Sequence, residues 1–264
     1  MNILEQIIAD KRIEVEQKKL EQPIKTLEQM PDFTRQTVSL KQSLKTTTGI
    51  ITEFKRKSPS KGIINNTAEV IDVVKGYDAN GSAAMSILTD TKYFGGSNAD
   101  VLAARPITQK PILRKEFMID EYQMLEAKAI GADVILLIAA CLSPAEVKKL
   151  SAFAKSLQLE VLLELHGKDE MAHICDTVDL VGINNRNLKN FEVNWQHSIE
   201  LAAMLPAEKP KIAESGIHNV DTLLMLKKNG FDGFLIGENF MKHADPTLAF
   251  ADFVNEMKTK LHAD

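Results

Sequence analysis

Eight short runs rich in isoleucine, valine and leucine recur between residues 49 and 239, and a stretch with helical spacing of apolar residues follows each run. Successive runs begin about 20 to 35 residues apart, which is the size of one strand–helix unit. The runs are GIITEFK (49–55), AAMSILTD (83–90), PILRKEF (111–117), DVILLIAA (133–140), EVLLELH (160–166), DLVGINNR (179–186), PKIAESG (210–216) and GFLIGEN (233–239).

Helices are expected between these strands, and several begin at good capping residues such as Asp120, Ser143 and Asn219. The predicted helices span 67–80, 97–106, 120–130, 143–157, 168–176, 194–204, 218–229 and 245–261. Eight strand–helix units in one chain predict the α/β class and a (β/α)8 TIM barrel. A doubly wound dinucleotide-binding sheet is disfavoured, because no Gly-x-Gly-x-x-Gly follows the first strand.

The first 45 residues differ from this pattern and predict a helical extension packed on the barrel of residues 46–264. An apolar stripe at helical spacing marks its first helix, and Pro23 and Pro31 then break the chain into short pieces. The stripe consists of Ile3, Leu4, Ile7, Ile8 and Val15. We expect this segment to serve packing rather than catalysis.

Composition narrows the partners of the chain. A formal net charge of -4 and a pI of 5.9 give no general reason to expect nucleic acid or an anionic membrane surface. Cys141 and Cys175 have no metal-ligand spacing, and no His-x-x-x-His pair occurs, so no metal is expected. The N-terminus has no uninterrupted apolar segment of the kind found in signal peptides or membrane spans. We therefore expect a cytoplasmic protein.

Polar residues collect where the predicted strands end. In a (β/α)8 barrel the active site forms at the carboxyl ends of the strands and in the loops that follow. Charged side chains seldom enter a barrel unless they are paired, so their recurrence at equivalent positions indicates a site. These strand-end residues are Glu53, Lys55, Ser58, Arg114, Lys115, Glu116, Glu164, Asn184, Arg186, Glu214 and Ser215.

The last two strands carry a second signal, because AESGI and LIGEN each place a glycine just before a helical stretch. Barrels commonly bind phosphate with the loops after strands seven and eight, through backbone amides. The groups offered there are the amides of Gly216, Gly237 and Glu238 and the hydroxyl of Ser215. Lys55 or Arg186 would supply the countercharge, so the ligand is expected to be a small phosphorylated molecule.

Two chemical roles are compatible with the predicted position of Lys115. Burial lowers the affinity of a lysine for its proton, and a nearby carboxylate such as Glu53 or Glu164 raises it again, which suits acid–base work. The same lysine would also suit a Schiff-base nucleophile, as in aldolases. Spacing does not separate the two. A barrel enzyme acting on another phosphorylated sugar and a noncatalytic phosphate-binding protein are the alternative functions.

Motifs along nearly the whole chain resemble those of the indole-3-glycerol phosphate synthase family, whose members also carry a helical N-terminal extension. The matching stretches are EFKRKSPSKG (53–62), SILTDTKYFGGS (86–97), PILRKEFMIDEYQ (111–123), GADVILLIAA (131–140), LELH (163–166), GINNRNL (182–188), AESGI (213–217) and FLIGENFM (234–241). The resemblance implies a lyase of tryptophan biosynthesis. It would convert 1-(2-carboxyphenylamino)-1-deoxyribulose 5-phosphate to indole-3-glycerol phosphate, with loss of carbon dioxide and water and without cofactor or metal.

The resemblance also implies a role for each matching residue. Lys115 would be the general acid and Glu164 the acid–base carboxylate, while Glu53 and Asn184 orient the substrate and the lysine. Lys55 would hold the substrate carboxylate or phosphate, and its part as an acid in the dehydration is left open. The substrate-binding set would be Ser58, Arg186, Ser215, Gly216, Gly237 and Glu238, with Phe94, Phe117 and Leu136 forming the wall around the aromatic ring.

Departures from the family pattern are few. Glu116 and Asn187 stand where the family often has Asp, and the change at Asn187 removes a charge beside Arg186. No residue with an expected catalytic role is missing. We expect a monomer, with a homodimer as the alternative.

Overall fold

The computed structural model describes residues 2–186 and 192–263, and its eight parallel strands close into a barrel. Each strand pairs with its neighbours along the chain, and the eighth pairs with the first. The barrel strands are β1 (Ile50–Phe54), β2 (Ala84–Leu88), β3 (Ile112–Lys115), β4 (Val134–Ile138), β5 (Glu160–Leu165), β6 (Leu180–Asn184), β7 (Lys211–Glu214) and β8 (Gly233–Ile236). The predicted (β/α)8 barrel is confirmed.

Helices connect the strands on the outside of the barrel. They are Val70–Ala79, Thr91–Phe94, Asn98–Ala104, Glu121–Ala129, Pro144–Ser156, Trp195–Met204, Val220–Lys228, Glu238–Met241 and Pro246–Ala263, with short 3₁₀ turns at Arg105–Ile107 and Ala139–Cys141. Asp120, Ser143 and Asn219 each accept a hydrogen bond from a first-turn backbone amide, as their capping role predicts. In the parts of the chain described, no helix has the length and apolarity that a membrane crossing requires.

The connection between β5 and β6 differs from the prediction. A helix was expected over residues 168–176, and the chain forms only a 3₁₀ helix, Lys168–His173. The imidazole of His173 bonds the carbonyl of Glu170 at 2.9 Å and that of Leu142 at 2.8 Å. These contacts hold the segment in the tighter turn, and Ile174 already has extended backbone.

A short hairpin, Lys57–Ser58 paired with Gly62–Ile63, follows β1 and was not predicted, because each of its strands has only two residues. The first strand of this hairpin contains Ser58, so the loop after β1 has regular β structure where it lies beside the barrel opening.

The N-terminal segment consists of the N-terminal helix (Ile3–Glu21), a short helix (Ile24–Glu28), a 3₁₀ turn (Pro31–Thr34) and a further helix (Leu40–Thr46). Leu40 and Leu44 of the last helix pack into the apolar interior of the barrel. The carboxylate of Glu160, at the start of β5, accepts the Leu40 amide at 2.8 Å. This helix therefore closes the amino end of the barrel. The division into an extension of residues 1–45 and a barrel of 46–264 stays a prediction.

The buried face of the N-terminal helix is narrower than the predicted stripe. It consists of Ile7, Lys11 and Val15, one residue on each successive turn, whereas Ile3 is 42% exposed. A lysine in the middle of this face was not foreseen, because an apolar pattern does not reveal a buried ion pair.

Alternation along the strands separates an apolar layer from a polar one. Side chains two residues apart point to the same face of a strand, and on four of the strands an apolar residue inside the barrel is followed by a charged one nearer the carboxyl end. The pairs are Ile51 and Glu53, Leu113 and Lys115, Leu162 and Glu164, and Ile212 and Glu214. The apolar layer fills the interior of the barrel, and the charged groups lie next to it at the carboxyl ends of the strands.

Candidate active site

A cavity of about 770 Å³ opens at the carboxyl ends of the strands. Of the strand-end residues that indicated a site, Arg114 does not line the cavity, because its side chain is fully buried and pairs with Glu126 on the helix Glu121–Ala129. The residues expected to act in catalysis or substrate binding all line it, although the roles assigned to them stay predictions. They are Glu53, Lys55, Ser58, Phe94, Lys115, Phe117, Leu136, Glu164, Asn184, Arg186, Ser215, Gly216, Gly237 and Glu238. The residues lie far apart in the sequence, and the closed parallel topology brings them to one end of the barrel.

Lys115 occupies the centre of the charged layer. Its ammonium lies 2.6 Å from Glu214 Oε2 and 3.0 Å from Glu164 Oε2. Burial disfavours the charged lysine, but the carboxylates of Glu164, Glu214 and Glu53 outweigh it and raise the pKa of Lys115 above its usual range. Lys115 is therefore held as an ammonium, which suits a proton donor and disfavours the neutral amine that a Schiff base requires.

The two carboxyl groups beside Lys115 are tuned in opposite directions. Burial disfavours the ionised form of Glu164, yet Lys115 and His166 hold its pKa well below the usual range, and the Asn184 amide donates to it at 3.0 Å. Burial, together with the charge of Glu164, overcomes Lys115 and raises the pKa of Glu214 to about 7. Lys115 thus lies between one ionised carboxylate and one carboxyl group that titrates near neutrality, a division that serves acid–base chemistry.

The sequence shows Glu214 at a strand end but does not reveal its partner. Its carboxylate fits because Gly182 on β6 has no side chain: a Cβ there would lie 2.1 Å from Glu214 Oε1. Gly237 makes room in the same way, because its Cβ would meet Glu53 Oε1 at 2.5 Å. Because Gly182 and Gly237 have no side chains, the carboxylates of Glu214 and Glu53 can lie close to the inner wall of the barrel at these two positions.

Lys55 is paired within its own strand end. Its ammonium lies 2.8 Å from Glu53 Oε1, and both residues face the cavity, as their spacing of two predicts. Glu238, just after the neighbouring strand β8, has one carboxylate oxygen 3.7 Å from Arg186 and the other 3.7 Å from Lys61. The cations thus form two groups, one at Glu53 and one at Glu238. Asn187, noted as a departure from the family pattern, lies outside the described residues.

The loop after β7 makes a tight turn into the cavity. Ser215 and Gly216 both have left-handed backbone, with φ of 69° and 74°. Asn185 donates its side-chain amide to the Ser215 carbonyl at 2.9 Å, which holds the turn. A non-glycine residue with positive φ is uncommon and costs energy, so this conformation is fixed by its surroundings.

One wall of the cavity is apolar. The rings of Phe94 and Phe117 lie 6.0 Å apart between centroids, and Leu136 and Ile138 of β4 continue the surface. The N-terminal helix adds lining residues that sequence reasoning assigned to packing alone. They are Ile3, Leu4 and Ile7, together with Asn2 just before the helix.

A buried ion cluster fixes that helix beside the site. Lys11 is 2% exposed, and its ammonium lies 2.7 Å from Glu14, 2.9 Å from Asp90 and 3.0 Å from Glu116. Asp90 follows β2, and Glu116 directly follows Lys115. The Thr89 hydroxyl donates to Glu116 at 2.7 Å. The N-terminal helix is therefore bound through charge to the loops after β2 and β3.

A closed parallel barrel with a central ammonium among carboxylates, an apolar wall and glycine-containing loops after β7 and β8 defines a barrel enzyme built for acid–base chemistry on a small molecule. The family model described as indole-3-glycerol phosphate synthase matches residues 4–253. The chain belongs to the indole-3-glycerol phosphate synthase family, and the expected place among the carboxy-lyases of tryptophan biosynthesis is confirmed.

Curated relatives match nearly the whole chain. The indole-3-glycerol phosphate synthase of Bacteroides thetaiotaomicron is 44% identical over 258 residues, which cover 97% of this chain and 99% of the relative. That of Polynucleobacter necessarius is 40% identical over 262 residues, with 95% and 98% covered. Among solved structures, the tryptophan synthase alpha subunit of Legionella pneumophila superposes with a TM-score of 0.62 at 13% identity, over 85% of this chain and 98% of that one. At that identity the likeness concerns the fold alone.

Proposed function

We propose that the chain closes the indole ring of indole-3-glycerol phosphate from 1-(2-carboxyphenylamino)-1-deoxyribulose 5-phosphate, with Lys115 as the general acid. The observation that carries the proposal is the ammonium of Lys115, held 3.0 Å from Glu164 and 2.6 Å from Glu214 beside an apolar wall. A ketone attacked by an aryl carbon develops negative charge on its oxygen, and a positioned ammonium stabilises and protonates that oxygen.

The apolar wall supports the ring-closing step. Phe94, Phe117 and Leu136 would hold the aromatic ring of the substrate against one side of the cavity. Fixing the ring near the ketone turns the attack into a step within one bound molecule, which lowers its entropic barrier. Carbon dioxide is then lost from the attacking aryl carbon, which carries the carboxylate, and the electrons of the broken bond restore the aromatic ring.

Dehydration needs a base and a second acid. The hydroxyl made from the ketone must leave with a proton, and the neighbouring carbon must lose one. Glu164, whose carboxylate is ionised, would take the proton from carbon. Lys55, paired to Glu53 at 2.8 Å, would protonate the departing hydroxyl, while Asn184 keeps Glu164 in place through its 3.0 Å hydrogen bond.

The opposite end of the cavity would hold the phosphate. Ser215, Gly216, Gly237 and Glu238 lie on the loops after β7 and β8, where barrels of this kind bind phosphate. Arg186 also lines the cavity, 3.7 Å from Glu238, and would supply the positive charge. Ser58, on the hairpin after β1, would contact the substrate from the side.

The test is direct turnover. The purified chain should convert the carboxyphenylamino-deoxyribulose phosphate to a fluorescent indole, and each indole formed should be accompanied by one carbon dioxide. Borohydride added with the substrate should label no lysine. Absence of indole at catalytic enzyme concentrations would overturn the activity, and a reduced adduct on Lys115 would favour the Schiff-base alternative.

We infer that the active unit is a monomer in the cytoplasm. In support, one chain supplies every charged and apolar group named above, so no partner is needed to complete the cavity. Light scattering after size exclusion should give the mass of one chain, 29.3 kDa, at assay concentrations. A mass of two chains, with activity that falls on dilution, would contradict the inference.

A further inference from the structure

His166 lies in the cavity but is given no part in the chemistry described so far. It follows β5, two residues after Glu164, so both side chains emerge on the same side of the chain. Its Nε2 lies 3.2 Å from Glu164 Oε1, and its Nδ1 lies 3.9 Å from Glu170 Oε2. The imidazole is therefore placed between the catalytic carboxylate and a second acid on the following 3₁₀ helix, Lys168–His173.

The imidazole of His166 is buried, but its nitrogens lack hydrogen bonds within the described part of the chain. Both of its nitrogens are buried, and among the residues of 2–186 and 192–263 neither has a hydrogen bond of good geometry. The 3.2 Å contact with Glu164 becomes an ion pair when the ring is in its imidazolium form. Burial opposes that form, but Glu164, Glu170 and Glu214 outweigh it and raise the pKa of His166 above its usual range.

The groups that face His166 come from several elements. Lys115 on β3 and Glu214 on β7 complete the charged centre around Glu164, and the Cys141 thiol has its pKa raised to about 12 by burial and by the charges of Glu164 and Glu170. His197, from the helix Trp195–Met204, contacts the backbone carbonyl of His166 at 3.2 Å. Among these described groups, carboxylates outnumber the ammonium of Lys115 near the ring.

We propose that His166 is a positioning residue whose positive charge keeps Glu164 ionised and oriented to take the proton from carbon. The role rests on the proposed function of Glu164. Glu170 would hold the ring in turn, because its Oε2 also accepts the backbone amide of His166 at 2.5 Å and so fixes the distance between the two residues. If the imidazole were neutral, the negative charge of Glu164 would have to be stabilised by Lys115, and Lys115 is also paired with Glu214.

The proposal predicts a change in the pH profile. Glu164 must be ionised to act as a base, so kcat should fall on the acid side as that carboxylate takes a proton. In His166→Gln the lost cation should move this acid limb to higher pH by about one unit, the change expected for an opposite charge removed at this distance. KM should stay within twofold of the wild-type value. At pH values below the acid limb, kcat should fall about tenfold relative to the wild type. His166→Lys, which restores a positive charge, should return the limb towards the wild-type position.

Two controls separate a charge effect from a structural one. His197→Gln removes a histidine that meets His166 through the backbone carbonyl, so the acid limb should not move. The coupling must also be reciprocal. A ¹⁵N nuclear magnetic resonance titration of His166 should therefore give a lower pKa in Glu164→Gln than in the wild type. This second measurement needs no turnover, so its result stands even if the proposed reaction fails.

Any of three results would overturn the proposal. The first is an acid limb that stays in place in His166→Gln, and the second is a His166 pKa that is the same with and without the Glu164 carboxylate. A limb that moves equally in His197→Gln would also contradict it, because the change would then follow from local packing rather than from the charge of the ring.

Discussion

Lys115 and Glu214 form the shortest contact in the charged centre, with 2.6 Å between Nζ and Oε2, and they project from strands on opposite sides of the barrel. The pairing keeps the lysine protonated while burial raises the pKa of Glu214 to about 7. The general acid proposed for ring closure is thus held by a carboxyl group that is itself near its titration point at neutral pH.

Replacing Glu214 should change how stability depends on pH. The pKa of Glu214 is raised from 4.5 to about 7 in the folded state, so its carboxyl stabilises the fold below pH 4.5 and loses that contribution as pH rises through 7. In Glu214→Gln the amide does not titrate. The difference in unfolding free energy between wild type and variant should therefore shrink by a few kcal/mol between pH 4.5 and 7, because a pKa change of one corresponds to about 1.4 kcal/mol. Urea unfolding across this range measures it, and a constant difference would contradict the pKa assignment.

Adding one methyl group at Gly182 should disturb the same pair. The new Cβ would lie 2.1 Å from Glu214 Oε1 and 3.4 Å from a methyl of Leu162, so the carboxylate must move away from Lys115. Gly182→Ala should lose about 1–3 kcal/mol of stability and most of kcat. In a Glu214→Ala background the same change should cost little, because the clash is gone. Equal costs in the two backgrounds would show that the clash lies elsewhere.

The ion cluster of the N-terminal helix gives a third prediction. Lys11→Met leaves Asp90 and Glu116 buried without their cation, so it should reduce the free energy of unfolding by about 3–5 kcal/mol. Lys19→Met is the matched control on the same helix. Its pairs with Glu16 and Asp120 are partly exposed and should be worth less than about 1 kcal/mol. Similar losses in both variants would argue against a buried cluster.

Much of the architecture follows from the chain itself. The eight apolar runs and their spacing predict the barrel, since the period of two in strands and the helical spacing between them are local properties. The parallel topology then gathers strand ends such as Glu53, Lys115 and Glu164 at one opening, so residues far apart in sequence can be assigned to one cavity.

The missed features depend on contacts between distant residues. Lys11 stands on the buried face of the N-terminal helix, where an apolar pattern expects no charge, and only its partners Asp90 and Glu116 explain it. The fit of Glu214 against Gly182 depends on the register of β6 and β7, in which Asn184 pairs with Glu214. Hydrophobic periodicity carries no information about either relationship.

The central claim is that the Lys115 ammonium drives ring closure, and a single-turnover experiment tests it most directly. Wild type and Lys115→Met are each mixed, in excess, with the carboxyphenylamino-deoxyribulose phosphate, and indole fluorescence and carbon dioxide release are followed together. Lys149→Met, which removes an exposed lysine paired with Glu121, is the control. Wild type and the control should release carbon dioxide and form indole in equal amounts. Lys115→Met should bind the substrate but form indole at least about 100-fold more slowly. Indole formation by Lys115→Met within about tenfold of the wild-type rate would contradict the account.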